Sequence, residues 1–282
     1  MQTIIIEDLA LMLAHYNKCS LKKKWLYLNE YATTTHPSRL SSKIRRSINA
    51  FVERFPLEGI KEELFQHQVE WVPFCAEEFP DGLIHCYDPP LGLFVKGNKQ
   101  LLQNKGLSVV GARRATDYGN QVVKNLFPEL IQQNFTIVSG LAKGIDTIAH
   151  SKAIGLGGQT VGVIGTGIDI AYPAENKELQ VYMGTHQLVV SEYPLGTYPD
   201  KSHFPMRNRI IACLTLGTLV VEAKFRSGSL ITANIALNEG KEIFAVPGSV
   251  FHDFSKGTND LIKNGAVCVL EAKDIINTFE FL

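Results

Sequence analysis

The sequence predicts an α/β protein with a doubly wound, mainly parallel sheet, preceded by a small all-α domain. From about residue 105 onward, short runs of β-branched residues end in Gly or Ser, and a segment of helical periodicity follows each run. Before about residue 70, apolar residues recur only at helical spacing. Strands that alternate with helices and read as continuous apolar runs are typical of a parallel sheet covered on both faces.

Six apolar runs are predicted as the main strands of a Rossmann-like sheet. These runs are 107–111, 135–140, 160–165, 187–191, 218–222 and 242–246. The segments between them are long enough for one helix each, at 118–132, 145–155, 175–183, 204–216 and 229–239. A strand at 267–270 and a helix at 272–279 are predicted to close the sheet, and strands within 71–100 to extend it.

The change of pattern near residue 70 predicts two domains. Residues 1–68 form a bundle of about four short helices, and residues 69–282 form the extended Rossmann-like domain. Within the first part, Leu21, Trp25 and Leu28 follow one another at helical spacing.

Composition and targeting signals exclude several classes of protein. Hydrophobic residues make up 45% of the chain and charged residues 20%, which gives enough apolar material for a core and excludes disorder. No apolar run approaches the ~20 residues of a membrane span, and the N-terminus lacks the basic and apolar regions of a signal peptide. No membrane partner is therefore expected. Five cysteines without a CxxC pair fit a reduced, cytoplasmic protein.

Charge alone leaves nucleic-acid binding open. The 28 basic side chains balance 28 acidic ones, but affinity for nucleic acid depends on a local basic track and not on the total. The basic runs 22–24 and 45–46 are either such a track or the solvated face of a helix.

The residues that follow four of the predicted strands combine glycine with a hydroxyl or a cation. They lie at 111–114, 139–146, 165–167 and 222–229. Parallel sheets bind ligands outside the carboxyl ends of their strands. Glycine there lets the backbone approach a phosphate, and Lys or Arg neutralises its charge. We predict a phosphate-binding site at this edge; the alternative is a set of tight turns that need glycine for their own geometry.

Familiar catalytic and metal-binding motifs are absent from the sequence. There is no GxxxxGK[ST], no GxSxG, no HExxH and no metal-ligand spacing of His with Cys or Asp/Glu, so neither a metal nor a cofactor is expected. Asp146 and His150 lie one helical turn apart. They are either an acid–base pair or two side chains in an ordinary i,i+4 contact. Glu222, at the end of a strand among glycines, is the one lone carboxylate that suits a general acid or base.

The segment 203–212, HFPMRNRIIA, is the most distinctive in the chain. It predicts a helix whose first turns carry Arg207 and Arg209. Cations at a helix N-terminus oppose the helix dipole unless an anion lies among them. The two arginines either pair with carboxylates such as Glu192 and Glu222 or line an anion site, and the sequence favours neither.

At these segments the sequence resembles the DprA/Smf family of DNA-processing proteins. The resemblance covers most of 105–270 in the family's order, and residues 1–68 are similar by position and type to the SAM-like domain of many members. The matching stretches are VVGAR at 109–113, SGLAKGIDT at 139–147 with His150, GTG at 165–167 with Tyr172, Pro173 and Asn176, SEY at 191–193, HFPMRNRIIA at 203–212, EAKFRSGSLIT at 222–232 and AVPGS at 245–249.

The resemblance implies a protein that binds single-stranded DNA, protects incoming DNA and loads the RecA recombinase in natural transformation and homologous recombination. It implies a homodimer and no catalysis. We expect the dimer face around Ile235, Leu237, Leu261 and Ile262. The DNA-binding residues that the resemblance implies are Arg113, Ser139, Gly140, Lys143, Gly144 and Lys177, supported by Arg207 and Arg209.

Chemistry of the same loops predicts binding that is indifferent to base sequence. A site that holds phosphates without reading base edges accepts any strand, and a duplex is disfavoured because its bases are not free to stack. Phe204 or Tyr172 would stack on a base, or would belong to the core.

Two other functions stay open at this point. One is a Rossmann-like nucleotide hydrolase similar to the LOG-type phosphoribohydrolases, with Glu222 as the catalytic residue, although their PGGxGTxxE signature does not occur here. Release of free base from AMP would indicate it. The other is a nucleotide sensor, which nucleotides but not oligonucleotides would stabilise against heat.

Overall fold

The N-terminal region is a small helical bundle. A computed structural model describes residues 4–33 and 40–279 of the chain. The helices of the bundle are α1 (Ile6–His15), α2 (Leu21–Ala32), α3 (Ser42–Val52) and α4 (Leu57–Gln66). Leu9, Leu13, Leu28 and Ile48 are fully or almost fully buried between α1, α2 and α3. The indole of Trp25 donates a hydrogen bond of 2.7 Å to the carbonyl of Pro89 and so ties the bundle to the following domain.

Residues 70–279 are built on one sheet, in which nine strands are described. The strands are β1 (Glu70–Pro73), β2 (Gly92–Gly97), β3 (Gly106–Val110), β4 (Thr136–Ser139), β5 (Thr160–Ile164), β6 (Leu188–Ser191), β7 (Gly217–Val220), β8 (Glu242–Ala245) and β9 (Val267–Cys268). Their order is β1-β2-β6-β5-β4-β3-β7-β8-β9. Strands β3 to β9 pair in parallel, whereas β2 pairs antiparallel with both β1 and β6.

Helices cover both faces of the sheet. They are α5 (Asp81–Ile84), α6 (Asp117–Gln132), α7 (Ile145–Gly155), α8 (Lys177–His186), α9 (His203–Cys213), α10 (Gly228–Asn238), α11 (Lys256–Lys263) and α12 (Lys273–Ile276). Successive residues of a strand point to opposite faces. Val109, Ile137 and Leu219 pack with α6, α7 and α12, and their neighbours Val110, Val138 and Val220 pack with α9 and α10. The predicted doubly wound α/β fold is confirmed.

The topology places a crevice where the strand order reverses. From β3 the chain steps to β4 and β5 in one direction, and after β6 it returns to β7 on the other side of β3. In open α/β sheets ligands bind at such a reversal, beyond the carboxyl ends of the strands. The loops that follow β3, β4, β5 and β7 therefore form the region in which a site is expected.

The strands predicted within 71–100 extend the sheet as expected: β1 and β2, with the short α5 between them, continue it antiparallel beyond β6. The helix predicted at 204–216 is shorter in the structure: α9 begins at His203 and ends at Cys213, because residues 214–216 form the turn into β7. Among the described residues, no helix combines the length and the apolar character that crossing a membrane requires.

Candidate functional site

The loops that follow β3 and β4 pack directly against each other. The amide of Ile145 donates to the carbonyl of Ala112 over 3.2 Å. Gly144, just before α7, has a φ of +77°, and a Cβ there would lie 2.2 Å from the oxygen of Ala112. Both the left-handed backbone and the close approach require glycine at this position. Gly144 thus brings the β4 loop against the β3 loop that carries Arg113.

Asp146 holds the β4 loop in shape. Its Oδ2 accepts hydrogen bonds from the amides of Gly140, at 3.1 Å, and Ala142, at 3.3 Å. Burial raises the pKa of Asp146, and the nearby guanidinium of Arg207 opposes that shift. Two amides of the predicted phosphate-binding loop are therefore already bonded to a carboxylate of the protein itself.

Arg207 joins the ends of two strands from inside the protein. Its side chain is buried, and its Nη1 donates to the carbonyls of Gly140, at 2.5 Å, and Val163, at 2.7 Å. Burial lowers the pKa of Arg207 to about 10, so the guanidinium is still charged at neutral pH. Its geometry is that of a support beneath the β4 and β5 loops.

Arg209 pairs with a carboxylate, as one of the two sequence interpretations predicts. Its Nη2 donates to Oε2 of Glu192 over 2.5 Å, and the Arg209 side chain is only 7% exposed. Glu192 follows directly after β6, so the pair fastens α9 to that strand. Arg207 and Arg209 both lie beneath the surface of the site.

Three of the predicted DNA-binding residues are exposed cations at the carboxyl edge. Arg113 follows β3, Lys143 follows β4, and Lys177 begins α8. The Arg113 guanidinium lies 5.9 Å from the ring centroid of Phe204, within the range of a cation–π contact. Lys143 forms an ion pair with Glu175, whose carboxylate is 64% exposed.

An aromatic pair lies beside these cations. The rings of Tyr172 and Phe204 are 5.4 Å apart, and Tyr172 is 44% exposed. Asn176 donates from Nδ2 to the carbonyl of Leu141 over 2.7 Å and so holds this segment against the β4 loop. We call Arg113, Lys143, Lys177, Tyr172 and Phe204 the cation–aromatic surface.

The remaining predicted residues lie inside the protein. Ser139 is completely buried, and its hydroxyl donates to the carbonyl of Val109 over 2.6 Å, between two strands. Gly140 is buried between Asp146 and Arg207. These two residues shape the loop from within, and their DNA contacts stay a prediction.

The predicted pair of Asp146 and His150 is not joined by a hydrogen bond. The Nδ1 atom of His150 bonds instead to Oγ1 of Thr160 over 2.7 Å. Burial, and after it the positive charge of Arg207, lower the pKa of His150 to about 3. At neutral pH His150 is a neutral side chain of the core.

Glu222 has a clear structural task. It is 2% exposed and accepts hydrogen bonds from the amide of Thr116, at 3.0 Å, and from its hydroxyl, at 2.5 Å. Thr116 is the residue that caps α6. The carboxylate on which a hydrolase would depend thus anchors the start of a helix. Among residues 4–33 and 40–279, no group of His, Cys, Asp and Glu has the arrangement of a metal site.

Sequence reasoning missed two parts of this arrangement. No local pattern pairs Glu175 with Lys143, since the two lie 32 positions apart in the chain. Asp146 lies in the predicted loop 139–146 and one helical turn from His150, and neither feature by itself predicts its bonds to Gly140 and Ala142. A signal for its real role was available, because a carboxylate in the first turn of a helix is well placed to accept backbone N–H groups.

Comparison with known proteins identifies the family to which this geometry belongs. The family model of DNA recombination-mediator protein A matches residues 70–280, from β1 to just beyond the last described residue. The chain belongs to this family. Among curated DprA proteins, that of Streptococcus pneumoniae is 49% identical over 203 residues, which cover 72% of each chain. That of Bacillus subtilis is 41% identical over 246 residues, 86% of this chain and 82% of the relative. The resemblance to the DprA/Smf family is thereby confirmed.

Solved structures of DprA proteins share the fold. The X-ray structure of DprA from Streptococcus pneumoniae superposes with a TM-score of 0.83 at 38% identity, and covers 98% of this chain and 99% of that one. A Helicobacter pylori DprA structure has a TM-score of 0.67 at 31% identity, with 75% and 95% of the two chains covered. That second structure is described as showing a single-stranded DNA binding mode. Membership in the family supports a role in DNA processing for this chain.

Proposed function

We propose that this protein binds single-stranded DNA on its cation–aromatic surface. The observation that carries the proposal is the placing of three exposed cations, Arg113, Lys143 and Lys177, beside an aromatic pair at the carboxyl edge of the sheet. Proteins usually hold a single strand of nucleic acid with cations placed along its phosphate backbone and with aromatic rings on which its bases stack. The binding mode described for the Helicobacter pylori relative supports the same ligand.

The chemistry of this surface predicts little preference for base sequence. Lys and Arg reach phosphates, and an exposed ring such as Tyr172 offers a face on which any base stacks. A duplex keeps its bases stacked inside and cannot use the rings. Single strands should therefore outcompete duplex of equal length.

Lys143 has to exchange its partner when DNA binds. In the free protein it pairs with Glu175 at the surface, where solvent screens the two charges and leaves the ion pair weak. A phosphate can replace that carboxylate at small cost. Binding should weaken with added salt, by a slope in log affinity of about −0.7 per phosphate neutralised.

The wider role proposed is that of a recombination mediator that acts by binding and not by catalysis. We propose that it protects incoming single strands and loads the RecA recombinase onto them, in the cytoplasm, during natural transformation and homologous recombination. Membership in the family of DNA recombination-mediator protein A supports this role. Recombinase filament formation on strands coated with single-strand-binding protein, with and without this protein, tests it.

We also propose that the protein works as a homodimer through α10 and α11. Leu237 on α10 is 61% exposed and Ile231 on the same helix is 43% exposed, whereas Ile235 and Leu261 are partly covered by the core. A dimer holds two DNA surfaces on one strand and so raises affinity through effective concentration. Leu237→Glu should yield a monomer in size-exclusion chromatography and weaken binding of long strands.

Fluorescence anisotropy with labelled oligo-dT of increasing length, a duplex competitor and a salt series tests DNA binding. Arg113→Glu should weaken binding at least tenfold with an almost unchanged Tm, because Arg113 is exposed. Lys124→Glu changes charge equally at an exposed position in the middle of α6 and should leave affinity nearly unchanged. Equal affinities of the two folded variants would contradict the proposed surface.

A further inference from the structure

A second group of exposed cations and aromatic rings lies on the other half of the carboxyl edge. The loop after β7 presents Lys224, Phe225 and Arg226 to solvent, with Phe225 58% exposed. The loop after β8 adds Val250, 70% exposed, and Phe251, 93% exposed. We call these five residues the β7–β8 surface.

This surface is continuous with the cation–aromatic surface. The loop that carries Arg113 reaches Thr116, which bonds to Glu222 at the start of the β7 loop. From there the amide of Ala223 donates to the carbonyl of Phe254 over 2.7 Å, which joins the β7 loop to the chain after β8. A DNA strand that extends from Arg113 along this edge of the sheet therefore reaches the β7 loop next.

The charge of the β7–β8 surface is open to an anionic ligand. In the part of the chain that the structure describes, neither Lys224 nor Arg226 forms an ion pair with a carboxylate within 4 Å. The nearby Asp253 already pairs with Lys256 over 2.7 Å. The Lys224 amine lies 4.6 Å from the ring centroid of Phe254, which holds the charge at the surface.

A strained backbone position and exposed aromatic rings occur together on the β7–β8 surface. Arg226 has a φ of +59°, in the left-handed region that side chains other than Gly and Asn rarely adopt. The neighbouring rings Phe225 and Phe251 remain largely in water, where they lose the stabilisation of burial. Strained backbone and exposed aromatic residues together mark a surface that binds something.

We infer that the β7–β8 surface binds the stretch of single-stranded DNA that extends beyond the cation–aromatic surface. Lys224 and Arg226 hold two further phosphates, and Phe225 stacks on a base between them. This inference rests on the proposed function. It places the bound DNA strand along both halves of the carboxyl edge of the sheet. Alternation of cation, ring and cation within one loop favours a nucleic acid over an acidic peptide, which has no flat ring for Phe225.

The experiment compares short and long single strands on the full chain. An oligo-dT of about 6 nucleotides should occupy the cation–aromatic surface alone, and one of about 20 nucleotides should reach both surfaces. The double variant Lys224→Glu/Arg226→Glu should weaken binding of the long strand at least tenfold and of the short strand less than twofold. Its salt slope for the long strand should be shallower by about 1.4, which is two phosphates at about 0.7 each.

Two further variants separate charge from stacking and from general effects. Phe225→Ala keeps the charge and should weaken long-strand binding by about fivefold or more, in the range of a lost base stack. Lys124→Glu/Lys152→Glu makes the same change of charge in the middle of α6 and the last turn of α7, and should bind both strands like the parent protein. Size-exclusion chromatography of each variant should show the oligomeric state of the parent.

Photo-crosslinking gives a readout that does not depend on affinity. Oligonucleotides that contain 5-iodouracil should crosslink to the peptide with Phe225 when they are long and not when they are short. If the double variant keeps the long-strand affinity and the crosslinks of the parent protein, the β7–β8 inference is overturned and the proposed function stays intact. Absence of any single-strand binding by the parent protein would overturn the proposed function itself.

Discussion

The carbonyl oxygen of Gly140 accepts a hydrogen bond of 2.5 Å from Nη1 of Arg207, and a Cβ at residue 140 would lie 1.8 Å from that nitrogen. The amide of the same glycine is bonded to Asp146. Gly140 is thus held on both sides by buried charges of the protein. Glycine is needed at this position for internal packing, whereas the cations proposed to bind DNA, Arg113 and Lys143, lie at the surface.

The first prediction concerns this contact. Gly140→Ala forces Arg207 away from its carbonyl partners, so the free energy of unfolding should fall by about 1–3 kcal/mol, as for other overpacked interiors. Single-strand affinity should fall as well, because the β4 loop carries Lys143. Urea unfolding and anisotropy measure the two effects. Gly155→Ala, at a position with nothing within 4 Å of the added Cβ, is the matched control and should not destabilise the protein. A stable Gly140→Ala protein would contradict the tight packing.

The second prediction uses the ion pair between Lys143 and Glu175. Glu175→Gln removes the carboxylate that would compete with DNA for Lys143, so single-strand affinity should rise by about twofold to fivefold at low salt. Both side chains are more than half exposed, and the Tm should therefore stay nearly unchanged. Glu129→Gln, on the body of α6, changes the net charge equally and serves as control. Equal affinities of the two variants would show that Lys143 does not contact phosphate.

The sheet was predictable because its strands are local, continuous apolar runs. The run at 160–165 corresponds to β5 at Thr160–Ile164, and the helix predicted at 145–155 is α7 at Ile145–Gly155. Burial on both faces of a parallel sheet leaves this signature in the sequence. The edge strands β1 and β2 carry a weaker signature, and their antiparallel pairing follows from contacts that no local pattern records.

The site was only partly predictable, for a related reason. Exposed cations after strands, such as Arg113 and Lys143, follow directly from the topology of parallel sheets. The inward direction of Arg207 does not, because its partner Gly140 is 67 positions away in the chain. An arginine in a helix looks the same in sequence whether it faces solvent or two strand carbonyls, so the division into surface and support required the structure.

The third prediction separates DNA binding from hydrolysis at Glu222. Glu222→Gln replaces one carboxylate oxygen with an NH2 group, which donates, so one of the two hydrogen bonds from Thr116 loses its acceptor. The free energy of unfolding should fall by about 1–2 kcal/mol. Single-strand affinity should change less than twofold, since Glu222 is buried. An assay for free base released from AMP accompanies the binding measurement: a base-releasing activity present in the parent and lost in this variant would favour the hydrolase instead.

The fourth prediction concerns acid stability and His150. The pKa of this buried imidazole is lowered from its ordinary value of 6.5 to about 3. Between these two pH values the unfolded chain binds a proton that the folded protein does not, so the free energy of unfolding falls as the pH falls below 6.5, by at most about 1.4 kcal/mol per pH unit. Above 6.5 both states are neutral at this residue, and its contribution to stability is complete.

His150→Gln removes this titration and keeps a group that can hydrogen-bond to Thr160. Urea unfolding at pH 7.5 and pH 5 should show that the parent protein loses about 2 kcal/mol more than the variant between these values. His186→Gln, at an exposed position, should lose as much stability as the parent. Parallel losses in the parent and in His150→Gln would mean that the imidazole already carries its proton in the folded protein, and that the buried Arg207 next to it does not keep that proton away.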